Sequence, residues 1–137
     1  MGMGITKDEL LQASANDYMN EAQLDYFRRV LEKLRIETMS SIEDAKQQLA
    51  CPPEMNDEAD RASYEEESRL ALRIVDRERR LLPKIDAAMK RISSGDYGYC
   101  LESGEPIGIA RLLLRPTAEL CAEVKILNER REQNYRH

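Results

Sequence analysis

Residues 20–50, NEAQLDYFRRVLEKLRIETMSSIEDAKQQLA, decide the fold. Apolar or small side chains recur at Leu24, Phe27, Leu31, Leu34, Thr38, Ile42, Ala45 and Leu49. The steps are threes and fours, so the positions line one face of one helix. The polar positions between them mostly carry charge. Asn20 is a residue type that accepts a backbone N–H at a helix start, and Gln23 stands where a capping partner would. Cys51-Pro52-Pro53 closes the helix, because proline lacks a donor and disfavours helical geometry at the residue before it.

A second seam follows after a short gap. Tyr64, Glu67, Ala71, Ile74, Glu78, Leu81, Ile85, Ala88 and Ile92 again alternate threes and fours, predicting a helix from about Asp60 to Ile92. Ser93-Ser94-Gly95 stops it, with Gly95 free to take a left-handed conformation. Pro83 lies inside this helix, where a kink or local loosening is expected. Neither narrow seam can be buried alone. Consecutive helices with a short connection pack antiparallel, and about 30 residues per arm make a rod of about 45 Å.

Outward from the hairpin, residues 1–19 read as an N-terminal arm. Thr6-Lys7-Asp8-Glu9 has capping-box spacing for a short helix to about Ala13, interrupted by Ser14-Ala15-Asn16-Asp17. Residues 20–94 are the hairpin, with its tip near 51–62. Residues 95–137 form a small zinc-finger-like unit: a short β-hairpin around Gly104-Glu105-Pro106, extended chain at Arg115-Pro116-Thr117, and a last helix over about Cys121–Tyr135. Leu101, Ile107, Ile109, Leu112, Leu114, Leu120, Val124 and Leu127 are its candidate core. The expected fold class is mainly α.

Composition excludes several functions. The net charge is −5 in 137 residues, whereas coating nucleic acid needs surplus Lys and Arg, so direct DNA binding is not expected. No stretch approaches the roughly 18 apolar residues of a membrane span, and the N-terminus lacks a secretory pattern. A cytoplasmic protein with reduced thiols is expected. No nucleophile stands with a partnering histidine, and no phosphate loop or full metal set is present, so no enzyme is expected.

Three groups of residues could carry function. Asp57, Asp60 and neighbouring carboxylates stand at the start of the second helix; acids there commonly just complement the helix dipole, but on a thin tip they are also presented outward. Arg77, Lys84, Arg115 and Lys125 belong to a basic set near the junction with the small unit, suited to an anionic ligand. Cys100-Leu101-Glu102-Ser103 and Cys121-Ala122-Glu123-Val124 have the layout of two metal knuckles, each missing its second ligand. Structural zinc takes four Cys or His ligands, so zinc is not expected there, and a buried thiol pair or a redox pair are the other readings.

Together, Tyr18-Met19-Asn20-Glu21-Ala22-Gln23-Leu24, Asp57-x-x-Asp60-Arg61-Ala62, Asp76-Arg77-Glu78-Arg79, Tyr97-Gly98-Tyr99-Cys100 and Arg115-Pro116-Thr117-Ala118-Glu119-Leu120-Cys121 resemble the DksA/TraR family of bacterial RNA polymerase regulators. The resemblance covers about residues 18–134. It implies a monomer that binds RNA polymerase directly through its secondary channel, with Asp57, Asp60 and Ala62 as the functional tip near the active site. It implies Arg77 as a polymerase contact. It further implies that ppGpp acts as effector at Leu81, Lys84, Arg115 and Lys125 where factor and polymerase meet, with repression of ribosomal RNA promoters. Cys100, Ser103, Cys121 and Val124 stand at vestigial metal positions, which resembles a zinc-independent paralogue needing no cofactor. The alternative reading is a coiled-coil structural adaptor with a thiol redox-sensitive globular end.

Overall fold

The computed structural model describes residues 4–50 and 57–135. Helix α1 (Lys7–Gln12) is followed by a 3-10 turn at Ala15–Asp17. The long helices α2 (Glu21–Ala50) and α3 (Glu58–Ser94) follow, then α4 (Ile109–Leu114) and α5 (Ala122–Tyr135). The Cys51-Pro52-Pro53 stop lies outside the described residues.

The ends of these helices follow from their sequence. The Thr6 hydroxyl accepts the Glu9 N–H at 3.2 Å to start α1. Asn20 Oδ1 accepts the Gln23 N–H at 2.9 Å, and Gln23 Oε1 accepts the Met19 N–H at 2.9 Å. Two free donors at the start of α2 are thereby satisfied. At the end of α3 the Asp96 N–H reaches the Arg91 carbonyl at 2.9 Å and the Gly95 N–H reaches that of Ile92 at 3.3 Å. Gly95 has φ +83°, which closes a Schellman motif. Helix α3 continues through Pro83.

α2 and α3 form a helical hairpin, and the chain divides into two compact units. One is Glu32–Ile85. Its core is Ala45, Ala71 and Val75, with Leu49 and Ile74 packed against it. Small residues at the centre let two helix backbones approach closely. Thr38 is also buried here, its hydroxyl donating to the Leu34 carbonyl at 2.7 Å, so the hydroxyl is not left without a partner. Of the expected seam, Glu67 is exposed. A carboxylate gains nothing from burial without a partner, and Val75 is buried as the apolar alternative on the same helix.

The second unit comprises the segments before and after Glu32–Ile85. Leu10, Phe27, Leu31, Ala88, Ile92, Tyr97, Cys100, Ile107 and Leu112 are buried in it. Phe27 and Tyr97 meet with ring centroids 5.5 Å apart. Tyr97 can be buried because its hydroxyl donates to the Pro116 carbonyl at 2.7 Å. Burial pushes that hydroxyl's pKa far up, with Arg91 opposing. α1 packs on α4.

Two expectations for this unit need correction. The β-hairpin reduces to one antiparallel bridge, Tyr99 with Pro106, and there is no strand among the described residues. Cys100 N–H to Glu105 O and Ile107 N–H to Gly98 O, both 2.8 Å, frame that bridge. Pro106 has no N–H to add to a ladder, and Gly98, at φ +92°, turns the chain out of strand geometry. Leu101, Leu114 and Leu127 are exposed, so Tyr97 and Phe27 supply core volume that the leucines were expected to provide.

Candidate functional site

The carboxylates assigned to the tip are fixed by the start of α3. Asp57 Oδ1 accepts the Ala59 N–H at 3.1 Å, and the Asp57 carbonyl accepts the Arg61 N–H at 3.1 Å. Asp57 is thus the N-cap of α3. Glu58 and Asp60 occupy the first turn, where negative charge complements the helix dipole. Asp57, Asp60 and Ala62 are all exposed. The arrangement presents anionic oxygens outward, with a side chain no larger than a methyl at position 62.

Farther along α3 lies a shallow groove of about 580 Å³. Four cations line it: Arg73, Arg77, Arg80 and Lys84. Asp76 and Glu78 are the anions, and Leu81 gives it an apolar patch. Arg77 contacts Glu78 at 3.4 Å, but its side chain is 76% exposed, so the pair binds Arg77 weakly. The groove therefore keeps a positive excess. It brings together three residues named from sequence, Arg77, Leu81 and Lys84. It adds Arg73, whose signal was its spacing of four residues before Arg77 on the same helix face.

Arg115 and Lys125 belong to the other unit. Arg115 caps the C-terminus of α4, its N–H bound to the Arg111 carbonyl at 2.8 Å, and is exposed. Lys125 is in the first turns of α5 and half-buried.

The knuckle positions form a different kind of site. Cys100 is buried and Cys121 half-buried, and both thiols are free. The Ser103 N–H donates to Cys100 Sγ at 3.5 Å, while Ser103 Oγ lies 3.8 Å from Cys121 Sγ. Burial pushes the Cys100 thiol up, but the Ser103 hydroxyl and the N–H groups of Cys121, Ser103 and Glu102 more than offset it, and the pKa falls to about 6. Several donors aimed at one sulfur favour the thiolate. The loop is held on its other side by Arg91, whose Nη1 pairs with Glu119 Oε1 at 3.2 Å, and by the Leu101 N–H on the Glu119 carbonyl at 2.8 Å.

A long helical hairpin with carboxylates at the start of α3, together with a compact cysteine-loop unit, thus marks out the class of protein. Residues 23–92 match the family described as DnaK suppressor protein DksA, N-terminal domain, and residues 95–130 match the prokaryotic dksA/traR C4-type zinc finger. The chain is 41% identical over 133 residues to the RNA polymerase-binding transcription factor DksA of Caulobacter vibrioides, covering 96% of this chain and 94% of that one. It is 46% identical over 121 residues to the protein of the same name from Escherichia coli K12, covering 85% and 78%. The solved structure of transcription factor DksA2 from Pseudomonas aeruginosa superimposes with TM-score 0.76 at 48% identity, covering 96% and 98%. The chain belongs to the DksA family.

A C4 finger implies a tetrahedral zinc held by four thiolates. The donor set here does not fit it. Of the four positions, Cys100 and Cys121 supply sulfur, Ser103 a hydroxyl and Val124 no donor. Among the described residues no group of three or more His, Cys, Asp or Glu could hold a metal ion. His137 lies outside them.

Proposed function

We propose that this chain is a non-enzymatic, cytoplasmic regulator of transcription that binds RNA polymerase directly as a monomer. Its similarity to relatives named as RNA polymerase-binding transcription factors, extending over nearly its full length, carries this reading. In this proposal the hairpin enters the secondary channel of the polymerase. Asp57 and Asp60 then act near the catalytic centre, and the small Ala62 allows close approach. The exposure of all three side chains at the start of α3 supports that role.

Arg77, in the basic groove, contacts the polymerase. ppGpp is the effector, bound where factor and polymerase meet, with Leu81, Lys84, Arg115 and Lys125 as its residues on this chain. Guanidinium and ammonium groups suit a nucleotide carrying several phosphates. The missing finger ligands support a zinc-independent factor, in which packing and hydrogen bonds replace the metal.

The experiment is transcription in vitro from a ribosomal RNA promoter with purified polymerase, with and without ppGpp, in the presence of a zinc chelator. Reduced transcription that ppGpp deepens, unchanged by the chelator, is expected. Absence of any effect on transcription, with no co-purification of polymerase, would defeat the proposal.

A further inference from the structure

The pair of thiols left at the knuckle positions lacks a role in the proposed function. A tetrahedral ion cannot be satisfied by it, for want of two ligands. The pair is nevertheless organised around one point. Ser103 touches both sulfurs: its N–H donates to Cys100 Sγ at 3.5 Å, and its hydroxyl lies 3.8 Å from Cys121 Sγ. The Cys121 N–H also faces Cys100 Sγ. The remaining contacts fix both cysteine-bearing segments. The Cys100 N–H is held by the Glu105 carbonyl at 2.8 Å, and Cys121 is held where α5 begins, its carbonyl accepting the Lys125 N–H at 3.1 Å.

From this juxtaposition we propose that Cys100 and Cys121 form a two-coordinate site for a soft monovalent d10 ion, Cu(I). Thiolate sulfur is the soft ligand that Cu(I) prefers, and a closed-shell ion of low charge is satisfied by two such ligands where zinc needs four. In the binding step both thiols lose their protons to solvent and two copper–sulfur bonds form. Copper stays Cu(I), so no oxidant or reductant is needed. Ser103 holds the sulfurs by hydrogen bonds without ligating. Val124, at the fourth knuckle position of the sequence, offers no donor that would favour a harder ion.

The test uses the full-length, reduced protein without oxygen. Cu(I) is offered in competition with bathocuproine disulfonate, and zinc in competition with a chromogenic zinc chelator. The expected result is withdrawal of one Cu(I) per chain from its chelator, a copper X-ray absorption spectrum with two sulfur neighbours, and no withdrawal of zinc. Cys121→Ala, at the half-buried position, loses the copper while retaining the helical circular dichroism of the parent. Cys100→Ser does the same, and Cys51→Ala keeps the copper. Copper left with its chelator, retention by Cys121→Ala, nitrogen or oxygen neighbours, or copper bridging two chains on size exclusion would each overturn the proposal.

Discussion

The Tyr18 hydroxyl donates to the Gly98 carbonyl at 2.6 Å and accepts the Gly108 N–H at 2.9 Å. One side chain thus fixes two points of the loop that carries Cys100 and links them to the segment preceding α2. The Tyr18 ring also meets that of Tyr99 edge-on, with centroids 5.5 Å apart. Gly98 itself is buried with φ +92°. A Cβ there would stand 2.7 Å from Met19 Cγ, so the close approach requires glycine.

Removing that hydroxyl tests the latch. Tyr18→Phe leaves two backbone groups without their partner, which costs about 1–3 kcal/mol. Gly98→Ala adds left-handed strain of about 1–2 kcal/mol to the collision with Met19. Urea denaturation should show both variants destabilised, Gly98→Ala the more so. Parent-like midpoints would show that the loop is held elsewhere.

The two tip aspartates should separate structure from activity. Asp57→Ala loses a helix cap, costing about 0.5–2 kcal/mol. Asp60→Asn removes an exposed charge and should change stability by no more than about 0.5 kcal/mol. Yet Asp60→Asn should abolish the effect on transcription while polymerase binding survives, and so should a large side chain in place of Ala62. Thermal melts, pull-down and transcription assays read the three quantities separately. Loss of binding in parallel with activity would count against an active tip.

The basic groove yields a differential prediction. Lys84→Ala should weaken the response to ppGpp more than the transcriptional effect seen without it, because Lys84 offers a point charge to phosphate. Dose–response curves in ppGpp measure this. Equal losses in both would place Lys84 outside the effector site.

The Cys100 thiol predicts a pH dependence. Its folded pKa of about 6 lies below the ordinary 9.0, so the group binds fewer protons when folded. Its contribution to stability is full above the unfolded value and is lost as pH falls through about 6. Thiolate absorbance in the ultraviolet should therefore rise near pH 6, and this component should vanish in Cys100→Ser. Ser103→Ala removes a donor to the sulfur and should move that rise to higher pH. A rise only near 9 in the parent would refute the hydrogen-bonded thiolate.

The long helices were legible because their seams repeat through many turns. Phe27, Leu31, Ala45, Ala71, Ile85 and Ile92 were all read as buried, and all are. The Asn20–Gln23 cap was equally plain, as residue type and spacing coincide. α4 was not foreseen: its six residues, Ile109–Leu114, are too few to show a period, and Gly108 gives it no side-chain cap. Tyr97 was missed as core because its burial depends on the Pro116 carbonyl, nineteen residues away in sequence. The tip carboxylates have no signature of their own, since Asp57 would cap any helix. Their candidate role came from the combination of motifs, and the groove's Arg73 only from the helix surface.

In the proposed function, the start of α3 works at the catalytic centre of RNA polymerase. A photo-crosslinking amino acid at position 60 of the full-length protein, irradiated in complex with polymerase and mapped by mass spectrometry, tests it most directly. Crosslinks to the elements that surround the active site, competed away by the unlabelled parent, are expected. Crosslinks confined to the outer surface of the polymerase, from a protein that still binds it, would rule out a role for Asp60 at the catalytic centre.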